Sequence, residues 1–250
     1  MLDFVIHLAQ KAGNYLKENI GSDLNVELKG RINPVTRVDK ASQDIIFETI
    51  SREFPDHAVI AEEGLQKETG SEYTWYVDPL DGTVNYMHQI PIFCVSIGVF
   101  KEGEPYIGVC FNPVSGELFY SQRGSGAFQN GERIRVSSTS RLIDALVVTG
   151  FPYNKDMHDG SIVRFTRILS EVQGIRRLGS AALDLCYVAR GSFDGFWEVG
   201  LSSWDIAAGV AIVLEAGGFV TDFSGKPMDL ESGNILAANG IIHAGLLRLM

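Results

Sequence analysis

Apolar positions recur along residues 3–19 at Phe4, Leu8, Ala12, Tyr15 and Leu16, a spacing that places their side chains on one face of a helix. Residues 39–53 repeat the pattern with Ile45, Ile46, Thr49 and Ile50, so two amphipathic helices are expected to open the chain. Between them Lys29-Gly30-Arg31-Ile32-Asn33-Pro34 is polar and turn-rich and reads as a mobile loop. The pattern then changes. Segments 75–77, 92–100, 106–111 and 117–121 are rich in β-branched and aromatic residues and are separated by Gly, Pro and Asn, which predicts a sheet. Asn130-Gly131 accepts positive φ and predicts a further hairpin turn. From residue 145 onward, strand-like segments 145–149 and 193–198 alternate with helical stretches at about 158–171, 181–190 and 204–216. With no repeat, linker or low-complexity tract, residues 1–250 are expected to form one unit of two fused lobes, about 1–140 and 141–250, each a sheet covered by helices.

Charge sharpens this picture. Thirty-one acidic residues against 21 Lys and Arg give a formal net charge of −10, which repels a phosphate backbone and argues against nucleic acid as a partner. The same sign is awkward for a phosphorylated small molecule unless bound cations reverse the local field, which directs attention to the carboxylates. The N-terminus lacks the basic and apolar regions of a leader, and no apolar run is long enough to span a membrane, so a soluble cytoplasmic protein is expected. Cys94, Cys110 and Cys186 sit in apolar surroundings and read as buried small hydrophobes. The five histidines form no evident catalytic triad or zinc spacing.

Three segments carry candidate chemistry. In Trp75-Tyr76-Val77-Asp78-Pro79-Leu80-Asp81-Gly82-Thr83 an apolar strand runs into Asp78 and is expected to be halted by Pro79, with Asp81 following across a tight turn. Both carboxylates can then point to one spot with the Leu80 carbonyl between them, an oxygen-only donor set that suits Mg2+ or Mn2+. Gly82 permits close backbone approach, and a helix beginning near Thr83 would offer N–H groups to an anion. The alternative is that the two aspartates only shape a turn and cap a helix. Asp205, in Trp204-Asp205-Ile206-Ala207-Ala208-Gly209, lies at a helix start where a simple N-cap role is equally open, as it is for Asp39 at the start of the second helix. Ala58-Val59-Ile60-Ala61-Glu62-Glu63 is a short strand delivering two glutamates, of which alternation lets only one enter a given site; a solvated acidic loop is the other reading.

Taken together, Asp78-Pro79-Leu80-Asp81-Gly82-Thr83-Val84-Asn85-Tyr86, Trp204-Asp205-Ile206-Ala207-Ala208-Gly209 with Glu215-Ala216-Gly217-Gly218, the glutamate pair and Gly174-Ile175-Arg176-Arg177-Leu178-Gly179-Ser180-Ala181-Ala182 resemble the inositol monophosphatase family, in particular its bacterial members. The resemblance spans nearly the whole chain. It implies an α+β fold, a layered α-β-α-β-α sandwich of the inositol monophosphatase and fructose-1,6-bisphosphatase type, and a homodimer. It also implies a lithium-sensitive Mg2+-dependent phosphatase with two to three ions, for which Mn2+ can substitute. By motif, Glu62, Asp78 and the Leu80 carbonyl would hold one ion and Asp78, Asp81 and Asp205 a second, with a third leaning on Glu62. Thr83 and Glu62 would orient the attacking water, with Asp39 holding the Thr83 hydroxyl. Asp81, Gly82, Thr83 and Asp205 would meet the phosphate end of the substrate. Gly179, Ser180, Ala181, Glu198 and Arg176 would meet the rest of a small polyol or sugar phosphate, inositol 1-phosphate first.

The chain departs from the family pattern at Ala61, Ser180 and Tyr86, where glycine, threonine and phenylalanine are common, and none of these removes a metal ligand. Gly200 stands where archaeal relatives that also cleave fructose 1,6-bisphosphate carry arginine. Fructose 1,6-bisphosphatase and nucleotide 3′-phosphatase activity are the alternatives within the enzyme class. An added role with RNA or the transcription machinery is the alternative outside it.

Overall fold

The computed structural model describes residues 1–22, 26–28, 34–152 and 160–250. Two helices open the chain, α1 (Leu2–Glu18) and α2 (Arg37–Glu53), with a short antiparallel ribbon of β1 (Glu27–Leu28) and β2 (Pro34–Val35) between them. The loop expected over 29–34 falls, apart from Pro34, outside the described residues. The next strands are β3 (Ala58–Ala61), β4 (Gln66–Lys67), β5 (Tyr73–Asp81), β6 (Cys94–Lys101), β7 (Glu104–Asn112), β8 (Glu117–Gln122), β9 (Gly126–Gln129) and β10 (Glu132–Ile134), with the one-turn helix α3 (Thr83–Met87) after β5. They form one sheet in the order β10-β9-β8-β7-β6-β5-β3-β4, antiparallel except for the parallel pair β3–β5. The β9–β10 hairpin turns at Asn130 (φ 49°) and Gly131 (φ 87°), the positive-φ pair that a two-residue turn requires.

The remaining elements are β11 (Leu146–Thr149), α4 (Ser161–Leu169), β12 (Gly174–Arg176), α5 (Ala181–Ala189), β13 (Gly195–Glu198), α6 (Ser203–Glu215), β14 (Phe219–Thr221), β15 (Ile235–Ala238) and α7 (Gly240–Leu247). Their strands make a mixed sheet ordered β12-β11-β13-β15-β14. Three apolar clusters separate five layers. Val5, Leu8, Leu16, Ile46 and Ile50 of α1 and α2 pack on Trp75, Val77 and Ile97. Leu183 and Cys186 of α5 and Ile206, Val210 and Val213 of α6 fill the space between Cys94, Cys110 and Phe119 of one sheet and Val148 and Phe196 of the other. Val147, Trp197 and Leu236 face the opposite way, onto Ile168 of α4 and Ile242 and Leu246 of α7. The neighbours Val147 and Val148, and Phe196 and Trp197, thus serve two cores, as strand alternation demands. The result is the α+β, α-β-α-β-α sandwich.

Three local expectations are corrected. Pro79 does not halt β5: pairing resumes at Asp81 with Cys94 after Asp78 has paired with Ser96, so three steps on β5 face two on β6. A bulge is one of the few places where a strand accepts proline, because the missing N–H is not called on there. Neither Asp39 nor Asp205 is an N-cap. Thr36 caps α2 and Ser202 caps α6, and each aspartate sits three residues on, accepting the cap residue's N–H at 2.9 Å and 2.7 Å, the reciprocal arm of a capping box.

Two glycines fix how closely α6 lies on the large sheet. A Cβ added at Gly98 of β6 would stand 2.7 Å from the Ala207 Cβ, and one at Gly108 of β7 would stand 2.3 Å from the Ala208 carbonyl oxygen. The small residues after Asp205 and the bare patch on the sheet are therefore one packing solution, and it sets the height at which the start of α6 meets β5. Gly108→Ala is expected to cost roughly 2 kcal/mol or more, because helix backbone must retreat from the new methyl group. Thermal unfolding should show the loss, and an unchanged melting temperature would show that the helix has room to spare.

Candidate functional site

Four carboxylates approach one another where β3, the β5 bulge and the start of α6 meet. Asp78 is 2% exposed. One of its oxygens accepts the Leu80 N–H at 2.9 Å. Asp81 accepts the Ser180 hydroxyl at 2.6 Å and the Ala182 N–H at 2.8 Å, both on the same oxygen, and Asp205 likewise spends one oxygen on Ser202. Each of the three thus keeps its second oxygen without a hydrogen-bond donor among the described residues. Glu62 follows the end of β3, its N–H donating to the Val77 carbonyl at 3.2 Å. Its charge bears on Asp39, Asp78, Asp81 and Asp205. The N–H of the adjacent Glu63 is taken by the Gln43 side chain at 2.8 Å.

Burial is the main reason these carboxyls are hard to ionise. It pushes Asp78 and Asp205 well above the usual carboxylate range, and the Glu62 charge adds to both. Burial raises Asp81 to about 7 against the pull of its two donors, Ser180 and Ala182. Two carboxylates at about 4 Å repel by roughly 4 kcal/mol at an effective dielectric of 20, so such a group calls for a cation. Free, hard oxygens at the bulge and the helix start are the donors that Mg2+ accepts. Among the described residues no three acidic, histidine or cysteine side chains converge as a closed ion cage.

Beside them, the Thr83 hydroxyl lies 3.1 Å from Asp39 Oδ1 and 3.2 Å from the Leu80 carbonyl oxygen. Asp39 is buried, which raises its pKa, while its bonds from the Thr36 hydroxyl and N–H oppose the rise. Gly82, with φ 94°, caps the one-turn helix α3. A Cβ there would meet the Ile92 and Gly179 carbonyl oxygens at 3.0 and 3.3 Å, so the 179–182 segment lies directly against the β5 bulge. Asn85 ties the two together, its amide donating to the Ile92 and Leu178 carbonyls at 2.7 and 2.8 Å. Asn85, within the sequence motif, thus has a tethering role that its residue type alone does not reveal.

Glu198 ends β13 and is 8% exposed. Its carboxyl occupies the space a side chain at Gly150 would need, 2.2 Å from that Cβ position. Burial raises it to about 8 against the opposing charge of Arg177. Arg176, expected to face the substrate, is exposed and donates to the Ile175 carbonyl at 3.1 Å. The cation acting on Glu198, and on buried Asp184 of α5, is Arg177. Both arginines are exposed, and local sequence does not say which of them acts on Glu198. Gly179 and Ser180 precede α5, and the Ser180 hydroxyl bonds both Asp81 and the Leu183 N–H; Ala181 is buried. The three cysteines are free and buried, with Cys94 Sγ 3.9 Å from Asp81 Oδ2.

The raised Glu198 pKa has a defined sign. A carboxyl near 8 when folded and near 4.5 when unfolded binds more protons in the folded state. Its stabilising contribution is therefore complete below pH 4.5 and is lost as pH rises through 8. In EDTA, Glu198→Gln should melt higher than wild type at pH 8 and lose that advantage by pH 4.5. Parallel melting curves across this range would show that Arg177 already holds Glu198 ionised.

Comparison with known proteins extends this geometry. The model of the inositol monophosphatase family matches residues 1–250. An inositol-1-monophosphatase of Mesorhizobium japonicum is 43% identical over 99% of this chain and 95% of its own. The Nus factor SuhB of Escherichia coli K12 is 41% identical over 100% of this chain and 95% of its own. The crystal structure of the extragenic suppressor protein suhB from Bartonella henselae superposes with a TM-score of 0.95 at 42% identity, covering 99% of this chain and 96% of that one.

Proposed function

The chain belongs to the inositol monophosphatase family, a family of metal-dependent phosphoric monoester hydrolases, and from that premise we propose that it hydrolyses inositol 1-phosphate to inositol and phosphate by direct attack of water. The observation that carries this reading is the set of buried carboxylates whose second oxygens have no donor, beside a threonine hydroxyl held by Asp39. Glu62, Asp78, the Leu80 carbonyl, Asp81 and Asp205 would hold two to three Mg2+ ions, or Mn2+ in their place. When bound, such ions polarise a phosphoryl group, lower the pKa of water and stabilise a departing alkoxide.

The remaining chemistry belongs to the chain. Asp39 accepts the single proton of the Thr83 hydroxyl, which leaves the Thr83 oxygen lone pairs to accept from a water. Glu62 would orient that water together with Thr83. Gly82 and Thr83 present backbone N–H groups to the phosphate. Ser180, fixed by Asp81, and Glu198 meet the hydroxyl-rich half of the substrate, and Glu198 raised to about 8 both donates and accepts hydrogen bonds near neutral pH. Its protonation also weakens the repulsion of a second phosphate that an ionised glutamate would exert. Arg176, exposed beside Ile175, would meet the more distant part of the substrate. A homodimer in the cytoplasm is part of the same proposal, supported by the family alone; among the described residues no helix is long and apolar enough to cross a membrane.

A second reading rests on the relatives named Nus factor SuhB, an added role beside the transcription machinery. Magnesium-dependent phosphate release by the purified chain, measured across inositol, fructose, glycerol, histidinol and nucleotide phosphates with no partner present, separates the two and ranks the substrates. Asp81→Asn and Asp205→Asn should each lower kcat at least ~1000-fold while the fold survives, since each removes charge that holds an ion worth several kcal/mol to the transition state. Near-wild-type turnover at limiting Mg2+ would sink the ligand assignment. Lithium at submillimolar to millimolar concentration should inhibit without competing with substrate; full activity in high lithium would place the release step outside the family pattern.

A further inference from the structure

At the ends of the parallel strands β11 and β13, where α4 begins, lies a small cavity that the catalytic reading leaves unused. It encloses about 10 Å³ and is lined by Thr149, Gly150, Ser161, Arg164, Trp197 and Glu198, among others. That room suits one oxygen atom. Ser161 is 6% exposed and its hydroxyl has no hydrogen-bond partner, and the buried Nε and Nη1 of Arg164 have none either. The two residues are three apart on the nine-residue helix α4 and so share a face.

The position of the guanidinium is electrostatically costly as it stands. It folds back over Gly160, where an added Cβ would lie 3.2 Å from both Nη atoms, stands 4.9 Å from the Phe223 ring centroid, and shares the cavity wall with Glu198, which burial keeps hard to ionise. Gly160 is the N-cap and provides no side chain to the helix start. A positive side chain therefore stands at the positive end of a helix dipole, with buried N–H groups left unmade, an arrangement that an anion relieves on both counts. Arg–oxyanion pairing is also where a planar fork gives its strongest hydrogen bonds.

We propose that this cavity is an oxyanion seat: one oxygen of a phosphate or carboxylate enters it and accepts from Ser161 and Arg164, with the rest of the group at the mouth. Because Glu198 lines both this cavity and the proposed polyol pocket, the anion is a second acidic group at the far end of the substrate. The source of the anion rests on the proposed phosphatase function; the seat itself does not. Polyol phosphates with a distal phosphate or carboxylate thus become a second substrate class, recognised by residues other than Arg176.

The test pairs kinetics with binding. Arg164→Met keeps the stem over Phe223 and removes the charge, Arg164→Lys keeps the charge without the fork, and Ser161→Ala guards against misfolding of either. For fructose 1,6-bisphosphate, kcat/KM should fall at least ~10-fold in Arg164→Met, less in Arg164→Lys and by ~3-fold in Ser161→Ala, while inositol 1-phosphate turnover stays within ~2-fold. Equal changes for both substrates, or none, would overturn the proposal and leave a water in the cavity. Sulfate added in EDTA, where the unneutralised carboxylates keep it from the catalytic end, should raise the melting temperature of wild type and not of Arg164→Met. A sulfate response that is equal in the two proteins overturns the seat even if no substrate is cleaved. Absence of phosphate release from both substrates with an intact sulfate response would instead overturn the phosphatase reading alone.

Discussion

Holding several carboxylates out of water beside one another is the constraint on which the rest of this protein depends. Asp78, Asp81 and Asp205, with Glu62 bearing on all three, meet where burial and like charge both oppose ionisation. Such a group is tolerable either protonated or around a cation, and the free second oxygens provide for the latter. The backbone bears the cost of keeping them apart but close. Each aspartate is anchored through one oxygen by a backbone N–H, from Leu80, Ala182 or Ser202, so repulsion cannot simply turn the side chains outward to solvent.

That anchoring requires elements far apart in the chain to arrive at the same height. The bulge at Pro79 brings Asp81 round to the Ser180–Ala182 turn, ninety-nine residues away from Ser180 along the chain. Helix α6 is seated on the large sheet by the absence of side chains at Gly98 and Gly108, and its capping box then aims Asp205. On the other side of α5 and α6 the smaller sheet contributes Glu198 from the end of β13. The middle helical layer is thus the common support of both halves of the site, with apolar side chains packed on both sheets.

The substrate side is governed by different physics. There buried Glu198 and Asp184 feel the charge of exposed Arg177, and farther out stands Arg164, whose Nε and Nη1 have no partner among the described residues. With its pKa raised to about 8 by burial, Glu198 is a hydrogen-bonding surface more than a charge near neutral pH.

Much of this was legible in the chain itself. Helical period located α1 and α2, which bury one face each, while β-branched and aromatic content located β3 and β5–β8, the Asn-Gly dipeptide the turn at 130–131, and small and apolar residues between marked ends α6, although β6 and α6 are buried on both sides. The strand β15 and helix α7 were not placed: Ile235–Ala238 is buried throughout and Gly240–Leu247 is apolar with little periodicity, so neither displays the alternation that distinguishes strand from helix. The motifs around Asp78, Asp81 and Asp205 determined which residues carry oxygen donors, since carboxylate chemistry is a property of residue type. Tertiary structure alone decided that β5 continues through Pro79, that Thr36 and Ser202 rather than the aspartates cap their helices, that Arg177 rather than Arg176 acts on Glu198, and that Arg164 ends unpartnered against a cavity. The caps are settled within three residues by which side chain meets which N–H, a geometric choice that residue type leaves open; the other outcomes depend on contacts with distant segments, of which local sequence holds no record.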